Sequence, residues 1–136
     1  MDELQAALLQ VRLVHLDEFT ERRCEIAKAY RTKIKNSRIK LLAEPVQDKS
    51  HVYHLFVVIC EERDRLMQHL KSNCVETYIH YPVPVHFQTP CLTLRIDPNG
   101  LEFAESHAAK CLSIPCHPQM SDEDVSNVIN AINVFQ

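Results

Sequence analysis

The densest group of side chains that could bind a ligand lies in one stretch, residues 77–88. This stretch holds two histidines, two tyrosines, one phenylalanine and two prolines. A neutral imidazole and a phenol can each donate and accept a hydrogen bond, which suits a ligand rich in hydroxyl groups. Tyr81 and Phe87 could also stack on a sugar face or a base.

Proline makes this stretch stiff, because its ring fixes the backbone and removes a hydrogen-bond donor. The residues before the two prolines, Tyr81 and Val83, are predicted to be extended. We expect a rigid loop that holds His80, Tyr81 and His86 in fixed directions, as a preorganised binding site requires. Composition alone supports equally well a rigid connector whose aromatic rings only pack.

Eight histidines and six cysteines raise the question of metal binding or thiol chemistry. The sequence has no Cys-x-x-Cys pair and no His-Glu-x-x-His motif, and Cys111, Cys116 and His117 come nearest to a ligand cluster. Cys91 and Cys116 lie near histidines in sequence, but catalytic pairs are built in space. We therefore predict no metal site and no catalytic residue in this chain.

Length and composition narrow the class of protein. The 136 residues predict one domain, and 46% hydrophobic residues suffice for a core. The net charge of −3 argues against binding to nucleic acid or an anionic membrane. With no spanning segment and no leader at Met1, we predict a cytoplasmic protein with reduced, mostly buried thiols. The single glycine, Gly100, excludes a glycine-rich phosphate loop.

A long amphipathic helix is predicted over about residues 2–35. Leu4 and Leu8 near its start, and Ile26 and Tyr30 further along, recur at helical spacing. We predict no N-cap for this helix. Its periodic pattern runs into Met1 and looks cut rather than begun.

The rest of the chain alternates between short strands and helices. Asn73 is predicted to end the second helix in a left-handed conformation. The pattern predicts one α+β domain of two layers over residues 1–136, with a small, mainly antiparallel sheet covered by helices. The predicted strands are 39–42, 52–60, 75–79 and 111–114, and the further helices are 61–72, 101–110 and one capped by Ser121.

Four motifs occur together in order along the chain. They are Met-Asp-Glu-Leu-Gln-Ala-Ala at 1–7, Val-Tyr-His-Leu-Phe at 52–56, Ile-His-Tyr-Pro-Val-Pro-Val-His-Phe-Gln at 79–88, and Leu-Ser-Ile-Pro at 112–115 before a Ser-Asp-Glu helix start. Over essentially its whole length, the chain resembles the C-terminal part of the DegT/DnrJ/StrS family of pyridoxal-phosphate-dependent sugar aminotransferases.

The resemblance implies the small domain of a fold-type I transferase. A large domain would carry the Schiff-base lysine and most contacts to pyridoxal phosphate, so no cofactor is expected on this chain alone, which is predicted to be inactive. The complete enzyme, expected to be a homodimer, would move an amino group from an amino acid, typically glutamate, to a nucleotide-linked keto-sugar.

The family's His-Tyr-Pro motif matches His80 and Tyr81, which would line the nucleotide-sugar pocket. The Pro-x-His-x-Gln pattern adds His86 as a third substrate-binding residue. The chain departs from the family at Cys74-Val75, where Gly-Ile is usual, and in residues 91–100, which lack an aromatic-glycine pattern. The alternatives are a stand-alone, non-catalytic small-molecule-binding or regulatory α+β module, or an interaction domain that pairs with a separately encoded large domain.

Overall fold

The computed structural model describes residues 2–46, 51–94 and 97–136. Within them, five α-helices and a three-stranded antiparallel sheet confirm the predicted α+β class. Two turns of 3₁₀-helix, Val85–Phe87 and Thr89–Cys91, follow the proline-rich loop. The elements are α1 Glu3–Leu13, α2 Leu16–Lys33, β1 Ile39–Leu41, β2 Phe56–Cys60, α3 Arg63–Ser72, α4 Glu102–Lys110, β3 Cys111–Ile114 and α5 Asp122–Asn133.

The sheet has the order β1-β2-β3, and its two faces have different surroundings. Residues paired across antiparallel strands point to the same face, and successive residues alternate between faces. The core face carries Phe56, Val58, Cys60, Leu112 and Ile114, all of them in the buried hydrophobic cluster. The opposite face, which we call the Ser113 face, carries Val57, Ile59, Cys111 and Ser113.

Tyr30 of α2 joins the helices to the core face. Its side chain is completely buried, and its ring lies 5.1 Å from that of Phe56 in an edge-on contact. Its hydroxyl donates a hydrogen bond of 2.7 Å to the carbonyl of Pro115, directly after β3. Burial raises the pKa of this phenol. The contact fixes α2 against β3, while α3 and α5 add Leu66 and Ile132 to the same cluster.

The predicted single helix over residues 2–35 is wrong, because the chain breaks between α1 and α2. His15 has φ −102° and ψ 4°, and its N–H bonds three residues back to Arg12. The Nδ1 atom of its imidazole lies 3.3 Å from a carboxylate oxygen of Glu18, and the ring stacks on Phe19. The predicted absence of an N-cap is also wrong, because the Asp2 carboxylate accepts a hydrogen bond from the N–H of Leu4.

The break separates a packed helix from an unpacked one. Every residue of α1 is exposed, whereas α2 buries Ile26, Ala27 and Tyr30. Tertiary packing provides most helix stability, and α1 buries none of its side chains. In the described ranges, no helix combines the length and apolar character needed to cross a bilayer. The exposed apolar side chains of α1 and the junction are Leu4, Leu8, Leu9, Val11, Leu13, Val14 and Leu16.

Two predicted strands are shorter than the sequence pattern indicates. β2 begins at Phe56 and not at Val52, because no described residue pairs with 52–55 and Tyr53 has a positive φ of 49°. The predicted strand over 75–79 is reduced to a single bridge between Tyr78 and Ser113. In both cases, the length of the strand is set by the backbone available to pair with it.

The end of α3 is closed by Cys74 and not by Asn73. Cys74 has φ 59°, whereas Asn73 has φ −98°. The N–H of Val75 bonds to the carbonyl of Leu70, and the N–H of Cys74 bonds to that of Lys71. This is a Schellman motif, whose left-handed position is usually glycine.

Cys74→Gly should stabilise the fold by about 0.5–1 kcal/mol. A non-glycine residue in the left-handed region costs about 1–2 kcal/mol, part of which the backbone freedom of glycine offsets. Urea unfolding monitored by circular dichroism measures the change. Cys74→Ala is the matched control and should show no such gain, because alanine keeps the Cβ atom. A gain of equal size in both variants would contradict the assignment of strain to this backbone position.

The apolar surface of α1 should make the isolated chain self-associate, because large exposed apolar patches associate in water. Light scattering of wild type should give a mass above that of the monomer. The triple variant Leu4→Gln/Leu8→Gln/Val11→Gln should shift the mass toward the monomer, while Gln5→Ala on the same helix should not. A monodisperse wild-type monomer would refute this expectation.

Candidate functional site

The bridge between Tyr78 and Ser113 places the histidine loop at the open edge of β3. The N–H of Tyr78 donates to the carbonyl of Ser113 at 3.1 Å, and the N–H of Ser113 donates to the carbonyl of Tyr78 at 2.8 Å. Residues two apart on an extended chain share one side, so His80 follows Tyr78 onto the Ser113 face. There its Nδ1 lies 2.9 Å from the hydroxyl of Ser113.

His80 and Tyr81 are both exposed next to this bridge, and His80 also contacts the ring of Tyr78, with centroids 6.2 Å apart. The side chain of Tyr81 is 85% exposed. The predicted extended conformation of Tyr81 is wrong, because its φ is 59°. This left-handed residue turns the chain away from the sheet edge before the two prolines. Strained residues of this kind cluster at ligand sites.

His86 occupies a different environment from that of His80. It lies on the 3₁₀ turn Val85–Phe87, and its Nε2 is 3.2 Å from a carboxylate oxygen of Glu105 on α4. Its side chain is 12% exposed, and its ring packs on Phe87 at 4.2 Å. The structure thus brings His80 and Tyr81 together at one edge, while His86 ties the far end of the loop to α4.

Two partners in this region, Ser113 and Glu105, were not identified from the sequence. Ser113 is 7% exposed and sits within an otherwise apolar strand, Cys-Leu-Ser-Ile. A hydroxyl in such a strand needs a hydrogen-bond partner, which is a signal that sequence reasoning could have used. Glu105 gives no comparable signal, because charged residues are ordinary on an exposed helix.

Apolar side chains around the histidine loop remain accessible. Tyr81 and Phe87 offer ring faces for stacking on a planar or sugar ligand. The loop therefore combines stacking surfaces with the anchored imidazole of His80. This combination is expected of a site that binds a polar ligand containing a ring. The exposed members are Tyr78, Tyr81, Val83, Val85 and Phe87.

The described residues do not by themselves fit a resident pyridoxal phosphate. A Schiff-base lysine needs an amine that is activated by a sheltered setting or a nearby cation. Lys110 is instead paired with Glu61 at 2.9 Å. The single glycine, Gly100, lies in open space and builds no phosphate loop. The other described lysines, Lys28, Lys33, Lys35, Lys40 and Lys71, are all exposed.

The thiols are free and largely unsuited to nucleophilic chemistry. Burial raises the pKa of Cys116 to about 11 and also raises that of Cys60. The thiolate is the reactive form, so a raised pKa disfavours both thiols as nucleophiles at neutral pH. Cys111 is buried too, whereas Cys74 is exposed, so the prediction of mostly buried thiols holds for only half of the six cysteines. Among the described residues, no three potential ligands are grouped to hold a metal ion.

A wide groove lies elsewhere, between α2 and the segment before β2. Its wall includes Arg31, whose guanidinium donates to the carbonyls of Leu42 and Ala43. None of the three predicted site residues lines it. Four of its lining residues are carboxylates, which disfavour an anionic ligand there: Asp17, Glu21, Glu25 and Glu44.

Comparison with known sequences gives matches along almost the whole chain. A sequence model described as the DegT/DnrJ/EryC1/StrS aminotransferase family matches residues 1–133. The erythromycin biosynthesis sensory transduction protein EryC1 of Saccharopolyspora erythraea is 42% identical over 129 residues, which are 95% of this chain and 35% of that protein. The dTDP-3-amino-3,6-dideoxy-alpha-D-galactopyranose transaminase of Aneurinibacillus thermoaerophilus is 39% identical over 135 residues, or 99% of this chain and 36% of that protein.

Solved structures give the same picture. DesV of S. venezuelae, in complex with a ketimine intermediate, superposes with a TM-score of 0.88 at 37% identity, covering 98% of this chain and 36% of its own. A DegT DnrJ EryC1 StrS aminotransferase from Brucella abortus gives a TM-score of 0.89 at 30% identity, covering 97% of this chain and 35% of its own. The chain thus spans about a third of the length of the relatives that it matches.

Tyr81→Phe should leave the free energy of unfolding within about 0.5 kcal/mol of wild type, as is usual for surface changes. Its ring is exposed, and the described residues offer its hydroxyl no hydrogen-bond partner. Tyr30→Phe is the matched control and should lose about 1–3 kcal/mol, because it leaves the partly buried carbonyl of Pro115 without its donor. Urea denaturation measures both. Equal losses would show that the Tyr81 hydroxyl is already committed to the fold.

Proposed function

This chain belongs to the DegT/DnrJ/EryC1/StrS aminotransferase family, and we propose that it forms the small, C-terminal domain of a pyridoxal-phosphate-dependent enzyme that aminates a nucleotide-linked keto-sugar. The observation that carries the proposal is the edge of β3, where an anchored His80 and an exposed Tyr81 are adjacent in the His-Tyr-Pro motif that resembles the family's. In this proposal, the chain supplies one wall of the nucleotide-sugar pocket.

The three loop residues would have different roles in that wall. His80 would hydrogen-bond to an oxygen of the nucleotide sugar, because its ring is held at one nitrogen and is otherwise exposed. Tyr81 would stack on a ring of the ligand. His86 would contribute at the far end of the loop, mainly by keeping it docked on α4 through Glu105. Stiffness of the loop lowers the entropic cost of binding.

The remaining parts of the reaction would lie on a large domain. Members of this family use pyridoxal phosphate in the complete enzyme, where the cofactor carries the amino group between donor and sugar. We propose that the large domain holds the cofactor, its lysine and the amino-acid donor, and that it covers the apolar residues of α1. A homodimer and a cytoplasmic location are further predictions from the family.

Binding of a nucleotide sugar tests the proposed wall. We expect dTDP-glucose, used as a substrate analogue, to shift the NMR signals of His80 and Tyr81 in the 136-residue chain. His80→Ala should weaken this binding by about fivefold or more, as the loss of a typical hydrogen bond does. His117→Ala, at an exposed histidine after β3, should not. Shifts at His117 with none at His80 would place the ligand elsewhere.

The catalytic part is tested separately. The chain incubated with pyridoxal phosphate, glutamate and a keto-sugar nucleotide should show no amino transfer. Stoichiometric attachment of the cofactor to one particular lysine, above the scattered labelling expected of exposed amines, detected by mass spectrometry after borohydride reduction, would contradict the proposal. Sequencing of the gene upstream of Met1 should reveal the cofactor-binding lysine motif in frame or in an adjacent gene. Without it, binding of dTDP-glucose would favour the stand-alone binding module.

A further inference from the structure

We propose that Ser113 is a positioning residue for His80. Its buried hydroxyl donates to Nδ1 of the imidazole and thereby fixes the neutral tautomer that carries hydrogen on Nε2. His80 then presents an N–H donor to the ligand, and its partner is an oxygen that accepts a hydrogen bond. The inference rests on the proposed role of His80 in binding a nucleotide sugar, and it specifies which ligand atoms His80 recognises.

The direction of the hydrogen bond follows from the burial of Ser113. Its residue surface is 7% exposed, and among the described residues the one partner of its hydroxyl is Nδ1 of His80, at 2.9 Å. If Nδ1 carried the hydrogen, it would donate to the serine oxygen, and the serine O–H would be buried without an acceptor. Leaving a buried donor unpaired costs its full desolvation penalty. The arrangement in which serine donates avoids that penalty.

The position of the hydroxyl is fixed by the sheet. Both backbone polar groups of Ser113 bond to Tyr78, and its Cα lies opposite Val57 of β2. Its side chain can reach the other face only if β3 shifts register, which would bring Leu112 and Ile114 out of the core. The core therefore holds the serine in place, and the serine holds the imidazole.

The ligand side of the ring is Nε2. In this tautomer Nε2 donates and cannot accept, so it matches diphosphate oxygens or a keto oxygen better than a group that can only donate. Both kinds of oxygen occur in a nucleotide-linked keto-sugar. A ring free to change tautomer would pair equally well with donors and acceptors. Fixing the tautomer thus adds selectivity without adding a contact.

The tautomer can be measured in the unliganded chain. In ¹⁵N NMR of the wild-type 136-residue chain, His80 should show a protonated Nε2 and an unprotonated Nδ1. Ser113→Ala should shift the two nitrogen signals toward a tautomer mixture, and Ser113→Thr, which keeps the hydroxyl, should restore the wild-type pattern. Ser126→Ala, at an exposed serine of α5, is the matched control and should leave His80 unchanged. Hydrogen on Nδ1 in wild type would overturn the inference even if a variant fails to fold.

Binding separates the inference from the proposed function. Ser113→Ala should weaken binding by about fivefold, the size of one ordinary hydrogen bond, for dTDP-glucose if the diphosphate is the acceptor and for a keto-sugar nucleotide if the keto oxygen is. Inorganic pyrophosphate should shift the Nε2 signal if the diphosphate is the acceptor, and a keto-sugar nucleotide alone should do so if the keto oxygen is. A fixed tautomer without any nucleotide-sugar binding would leave the Ser113–His80 bond established and refute the proposed function. An unchanged tautomer in a folded Ser113→Ala variant would refute the positioning role.

Discussion

Burial of β3 on both faces is the constraint on which the rest of the structure depends. All four of its residues are buried, yet only two of them, Leu112 and Ile114, pack into the main core cluster from the core face. The residue between them turns its hydroxyl to the histidine loop. A slip of one position would exchange these roles and cost both the core and the site. Folding and the placement of the histidine loop therefore depend on the same strand, and the end of this strand is fixed by the hydrogen bond from Tyr30 to Pro115.

The sequence predicted which segments form helices and strands better than it predicted the residues at which they begin and end. Apolar periodicity identified α5 and β3, and composition identified the loop around His80. The start of β2 depends on how many residues of β1 and β3 pair with it. The residue pattern of one strand does not reveal the length of its neighbours. The bond from His80 to Ser113 spans 33 positions, so it could not be inferred without the pairing of Tyr78. The break at His15 was hidden because the apolar spacing continues across it.

Among the residues that the structure describes, left-handed backbone occurs mainly at residues that have a Cβ atom. Tyr53, Cys74 and Tyr81 all have positive φ, alongside the one glycine. At Cys74 the conformation ends a helix in a way that glycine would satisfy better. At Tyr81 it does something glycine could not, because it turns the chain and displays an aromatic ring in the same step. The same backbone conformation thus costs a little stability at Cys74, whereas at Tyr81 it exposes an aromatic ring.

The uneven burial of the thiols also has a practical use. Cys74 is the exposed cysteine, and the high pKa of buried Cys116 keeps that thiol slow toward alkylating reagents. A maleimide dye or a thiol-reactive nitroxide added in limiting amount would react first with Cys74, six residues before His80. It would report on the segment that feeds the histidine loop without altering a single residue of that loop. Cys74, whose left-handed backbone would suit glycine, is therefore a ready attachment point for spectroscopy.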